Sequence, residues 1–122
     1  MSNMFGGCSS LEELNLSSFN TNNVAYMDNM LTGCASLKEL NLSNFTTDNL
    51  IDIKKMFFGC SSLKRLNIQH FNTKNISYYN MFDLFGNCVS LKKVDAKNSK
   101  KLKDQFNYIY SIYHENSHCI LF

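Results

Sequence analysis

The chain has 122 residues, enough for one domain and no second beside it. It is 44% hydrophobic, which argues against a disordered tail, and its net charge of +2 is far below the dense basic patch that nucleic acid requires. No run approaches the ~18 apolar residues of a membrane span, and Met1–Gly6 shows no basic stretch followed by an apolar one, so neither a signal peptide nor an anchor is visible.

The charge is unevenly spread. Residues 1–50 carry one basic and five acidic side chains, residues 51–90 five basic and two acidic, and residues 91–122 six basic and three acidic. Five cysteines, an odd number, do not read as a disulfide framework.

Met1-Ser2-Asn3-Met4 aligns with Met27-Asp28-Asn29-Met30, so the sequence opens in the second half of a repeat. This reads as an excerpt of a longer stack, a decayed copy, or a protein whose uncapped first edge meets a partner, end-to-end self-association included. The repeat itself follows. Met4-Phe5-Gly6-Gly7-Cys8-Ser9-Ser10-Leu11 recurs as Met30 to Leu37, as Met56 to Leu63 and, loosely, as Leu84 to Leu91. The marker cysteines Cys8, Cys34, Cys60 and Cys88 are spaced by 26, 26 and 28 residues, the last step carrying a two-residue insertion within Ser77–Asp83.

After each phrase comes an L-x-x-L-x-L-x-x-F run: Leu11, Leu14, Leu16, Phe19; Leu37, Leu40, Leu42, Phe45; Leu63, Leu66, Ile68, Phe71. The fourth copy weakens to Leu91, Val94, Ala96 and Ser99. A period of 26 falls within the range of leucine-rich repeats. Leu14 and Leu16 alternate as on a short strand, and stacking copies pairs such strands in parallel over a continuous core. Asn22 or Asn23 is placed to cap a short helix over Val24–Leu31, where Val24, Met27, Met30 and Leu31 recur at helical spacing and Gly33 ends it. The methionines fill the space between helix and sheet.

The fold class predicted is therefore α/β: a right-handed leucine-rich repeat solenoid, with short parallel strands on the concave face and short helices or turns on the convex face. Residues 1–100 form about three and a half repeats. Lys92, Lys93, Lys97, Lys100, Lys101 and Lys103 crowd its end, where lysines deter further edge pairing. Residues 101–122 read as a capping helix (Leu102, Phe106, Ile109, Tyr110, Tyr113) or as a tail.

The phrase M-F-x-G-C-S-S-L-K-x-L-x-L-S-x-F, most complete from Met56 to Ile76, resembles the BspA-like leucine-rich repeat surface proteins, including the mycoplasma-type repeat family of unknown function. The resemblance covers roughly residues 1–97. It implies a surface or secreted protein engaged in adhesion to host or other cells, and it supplies no catalytic residues. The expected function is a non-catalytic protein-binding or adhesive repeat module. The alternative is a truncated structural fragment of a larger repeat protein.

Candidate contact residues are the outward strand positions: Glu13, Asn15, Ser17; Glu39, Asn41, Ser43; Arg65, Asn67, Gln69; and Lys93, Asp95, Lys97. They run from acidic to basic, which suits a partner of complementary polarity bound in one orientation. A row of solvated strand positions is the plainer reading. The cysteine column suits a tight buried corner better than a disulfide or a soft-metal ladder.

His114-Glu115-Asn116-Ser117-His118 matches the H-E-x-x-H pattern of zinc peptidases. The segment is too short for a substrate cleft, and Asn116 and Ser117 are poor helix formers. A polar tail, or adventitious metal binding by His114, His118 and Cys119, accounts for it better. Asn15, Asn41 and Asn44 each open an N-x-S/T pattern, which bears on glycosylation only in a protein secreted by a eukaryote. No catalytic residue, metal or cofactor is assigned, and the expected partner is a protein, without nucleic acid or a membrane span.

Overall fold

The computed structural model describes residues 1–115. They form a small α/β unit. Strands β1 (Glu39–Asn41), β2 (Arg65–Asn67) and β3 (Lys93–Asp95) pair in parallel in that order, and helix α1 (Lys100–Tyr110) follows, continued by a wider helical turn over Ser111–Glu115. The register sets Leu40 beside Leu66 and Leu66 beside Val94, so equivalent positions of successive copies lie side by side.

The alternation read from sequence drives this. Leu40 and Leu42 are buried while Glu39 and Asn41, which alternate with them, are exposed; Leu66 and Ile68 are likewise buried, with Arg65 exposed and Asn67 half-buried. Behind the strands the rings align in the same register. Phe45 stacks on Phe71 at 6.4 Å and Phe57 on Phe85 at 5.8 Å. Met27, Met30, Met56 and Met81 are fully buried between strands and turns.

Two expectations about local structure need correction. First, Val24–Leu31 forms no helix. Asn29 has φ 56°, a left-handed conformation that ends helical propagation, and Met30 N–H closes a tight turn on Met27 O instead. Asn22 and Asn23 accordingly cap no helix; Asn22 N–H bonds to Asn20 Oδ1. The main-chain donors of the turn are used between copies. Met27, Asn29, Leu31 and Gly33 donate to Asp52, Lys54, Met56 and Phe58 O of the next copy. The same ladder runs from Asn3, Phe5 and Gly7 to Asp28, Met30 and Thr32, and from Ile53, Lys55, Phe57 and Gly59 to Asn80, Phe82, Leu84 and Gly86. Every donor points toward the C-terminal end of the repeat.

Gly33 and Gly59 make this close approach possible. They have φ +79° and +77°, and a Cβ on Gly59 would sit 3.4 Å from Gly33 N. Gly33 is therefore a turn residue rather than a helix terminator.

Second, Glu13–Asn15 does not enter the sheet. Between the first and second copies the strand side is bridged by a side chain, Asn44 Nδ2, which donates to the carbonyls of Leu16, Ser17 and Phe19. Leu14 is left only half-buried.

A column of buried hydroxyls also joins the copies. Thr21 Oγ1 donates to Thr46 O and accepts from Thr46 N–H, and Thr47 does the same with Asn72. Thr73 meets Ser99 Oγ at 2.7 Å. Ser99 stands where earlier copies carry phenylalanine, and its Oγ accepts Leu102 N–H at the start of α1. One substitution thus converts a repeat position into a helix N-cap. Helix α1 lies over the end of the core, with Leu102 buried, the Phe106 ring edge-on to Phe85, and Lys101 Nζ 2.8 Å from Ile76 O.

Candidate functional site

The parallel register turns the strand face into columns of equivalent side chains about 5 Å apart. The face encloses a cleft of 930 Å³, open to solvent. Ten of the twelve predicted contact residues line it: Glu13, Asn15, Ser17, Glu39, Asn41, Ser43, Arg65, Asn67, Lys93 and Asp95. Gln69 and Lys97 lie beyond its rim.

Sequence reasoning passed over Glu12, Lys38, Lys64 and Asn44, which also line the cleft. The signal for the lysines was present, since Leu37-Lys38, Leu63-Lys64 and Leu91-Lys92 recur in step with the repeat. They precede the strands, and the strict alternation of a strand does not extend to the bend before it.

The asparagine row has a structural task as well as an outward position. Asn15, Asn41 and Asn67 each accept, through Oδ1, the N–H two residues on, from Ser17, Ser43 and Gln69 at 3.0, 2.9 and 3.1 Å. This local turn ends the rung and fixes the side chain. The Nδ2 groups are the donors these amides have left for a ligand. In the fourth copy Asp95 takes the place and brings a carboxylate, an acceptor only.

Charge changes sign across the face. Glu12, Glu13 and Glu39 hold one end; Lys64, Arg65 and Lys93 hold the other. Arg65 meets Glu39 at 3.5 Å with both side chains some two-thirds exposed, a pair worth little to stability. The register also sets Arg65 beside Lys93, two like charges on adjacent strands, with Asp95 two residues further along β3.

The cysteines lie away from this face. Cys34, Cys60 and Cys88 are buried, Cys8 is exposed, and all four are free thiols. They do more than fill space: each buried Sγ donates to a carbonyl of the preceding copy, to Phe5, Leu31 and Phe57 O at 3.2, 3.3 and 3.0 Å. Burial raises all three thiols above their ordinary range, Cys88 to about 12. Inert thiols of this kind are poor nucleophiles and poor ligands.

Of the H-E-x-x-H motif, His114 stacks on Tyr110 at 4.3 Å between ring centroids, while Asn116, Ser117 and His118, with Cys119, lie outside the described residues. Among the described residues no group of three potential metal ligands is present, and no helix is long and apolar enough to cross a membrane.

A family model matches residues 1–119, under the description Mycoplasma protein of unknown function, DUF285. The chain belongs to this family. No curated protein and no solved structure matches it. The match extends past residue 97, where the resemblance read from the repeat phrase stopped, and takes in all of α1.

Proposed function

We propose that this family member is a leucine-rich repeat solenoid of the BspA-like type, right-handed, which acts without catalysis as a protein-binding or adhesive module of a surface protein. In this reading residues 1–100 form the stack, the helix after it caps the core, and the strand face is the contact surface. The single observation that supports it best is the 930 Å³ cleft that gathers ten outward strand residues onto one polarised face. Each rung offers a charge at its entry and an amide or carboxylate at its end, a pattern suited to reading an extended polypeptide with a defined direction.

The test is a binding screen against cell-surface and matrix proteins, followed by the double reversal Arg65→Glu and Lys93→Glu. Binding to the partner found should fall at least tenfold, with far-ultraviolet circular dichroism unchanged. Binding that survives the reversal removes the strand face from the mechanism. Protease shaving of intact cells tests the location: release of peptides from this chain supports surface exposure, and protection contradicts it.

A further inference from the structure

We propose a second binding site, for a peptide segment of a partner protein that takes up the turn conformation of the repeat, at the C-terminal end of the turn ladder. In each of the three preceding copies the main-chain donors of the turn are taken by the next copy: Asn3, Phe5 and Gly7 donate to Asp28, Met30 and Thr32 O, and so on down the repeat. Their equivalents in the last copy are Asp83, Phe85 and Asn87. Asn87 N–H is satisfied by Tyr113 Oη at 2.9 Å, a hydroxyl standing where the next copy's carbonyl would be. Among the described residues, Asp83 N–H and Phe85 N–H have no acceptor. Two aligned donors, two residues apart, repeat the pattern by which each copy holds the turn of the next.

The residues that carry these donors line a cleft. A groove of 260 Å³ runs between the last turn and α1, its walls formed by Tyr78 and Phe82 on one side and Tyr108 and Ile109 on the other. Tyr78, Phe82 and Tyr108 are 61%, 60% and 66% exposed, whereas Phe45, Phe57, Phe71 and Phe85 are buried. Tyr78 lies in the segment Ser77–Asp83 that carries this copy's two-residue insertion. Aromatic side chains beside free main-chain donors give a peptide both apolar contact and hydrogen bonds.

The occupant follows from continuity with the three inter-copy interfaces: whatever fills the site continues the same ladder with main-chain carbonyls. A free anion is disfavoured, because Asp83, the one ionised side chain among the lining residues, would repel it. A neutral peptide carbonyl meets no such penalty. The site is separate from the strand face and does not depend on the function proposed for it.

The experiment uses the full chain, labelled with nitrogen-15, and a capped synthetic peptide copying Met27–Gly33, whose carbonyls at Asp28, Met30 and Thr32 accept the equivalent donors within the repeat. Saturable downfield shifts of the Asp83 and Phe85 amide protons at millimolar peptide, with amide exchange slowed at least tenfold, are expected. Phe82→Ala and Tyr108→Ala, both at exposed positions, should each weaken binding severalfold. Tyr113→Phe should release Asn87 N–H and extend the protection to it. The proposal is overturned if no saturable shift appears at Asp83 and Phe85, if the shifts fall on the strand face, or if both amides are already protected in the free chain. Concentration-dependent shifts without peptide would overturn it in favour of a second copy as the occupant.

Discussion

On the strand side, regular pairing spans three residues per copy and does not reach the first copy. On the turn side, main-chain hydrogen bonds at every second residue join all four copies, although no helix forms there. The side that looks irregular by its dihedrals is the better connected one. Aligned peptide groups, buried rings and thiols bonded to carbonyls hold the turns together, so substitutions there should cost stability. The strand face presents exposed, weakly paired charges, so substitutions there should change binding and leave the fold alone.

The largest expected effect is on the turn side. Phe57 is fully buried and stacked on Phe85. Phe57→Ala should cost about 3–5 kcal/mol in urea denaturation, a large part of the stability of a domain this size. A loss below ~1 kcal/mol would show that the turn side is not the stabilising half.

Next comes an alkaline weakening. In the unfolded chain Cys60 and Cys88 ionise near the ordinary value of 9.0, whereas burial keeps them protonated in the fold, Cys88 to about 12. Stability is thus fully present below pH 9 and falls as pH rises from there toward 12. The slope is up to about 1.4 kcal/mol per pH unit for each thiol. Urea midpoints measured from pH 7 to beyond pH 10 should drop, and Cys88→Ala should flatten the drop. An identical slope in that variant would acquit the thiol. Thiol labelling sharpens the same point: Cys8 should react at once, and Cys34, Cys60 and Cys88 only on unfolding.

A smaller effect of opposite sign is expected at Lys55, which holds φ 54° in the turn column. A left-handed lysine costs about 1–2 kcal/mol. Lys55→Gly should therefore raise the unfolding free energy measured in urea by about 0.5–1 kcal/mol once the entropy lost by glycine on folding is subtracted. Destabilisation would mean that its contact with the Phe58 ring, 5.5 Å from Nζ, outweighs the strain. The smallest change belongs to the strand face. Arg65→Glu should shift stability by no more than about 0.5 kcal/mol, since its ion pair with Glu39 is exposed. A larger loss would break the division of labour between the two sides.

Much of the candidate site was legible because a strand has a strict period of two. Once Leu40 and Leu42 face inward, Glu39 and Asn41 must face outward, and the 26-residue repeat carries the rule from copy to copy. It failed at Lys38 and Lys64, which stand before the strands. It also said nothing of the Oδ1 atoms of Asn15, Asn41 and Asn67, which are committed to their own backbone. The helix expected over Val24–Leu31 failed for a related reason. Apolar spacing there records which side chains are buried, and a chain of turns buries Met27, Met30 and Leu31 as well as a helix does.

By itself, the sequence determined the repeat, its parallel stacking, its apolar interior and the face its polar residues share. Each follows from local periodicity and from the need of identical units to bury identical faces. Only the tertiary structure decided where main-chain donors go, because the choice between a helical acceptor four residues back and a carbonyl 25 residues ahead depends on a neighbour that local spacing does not contain. It likewise decided that Ser99 becomes a helix cap and that Asp83 and Phe85 are left facing a cleft, since both outcomes arise where the repeat ends and α1 takes the place of a further copy.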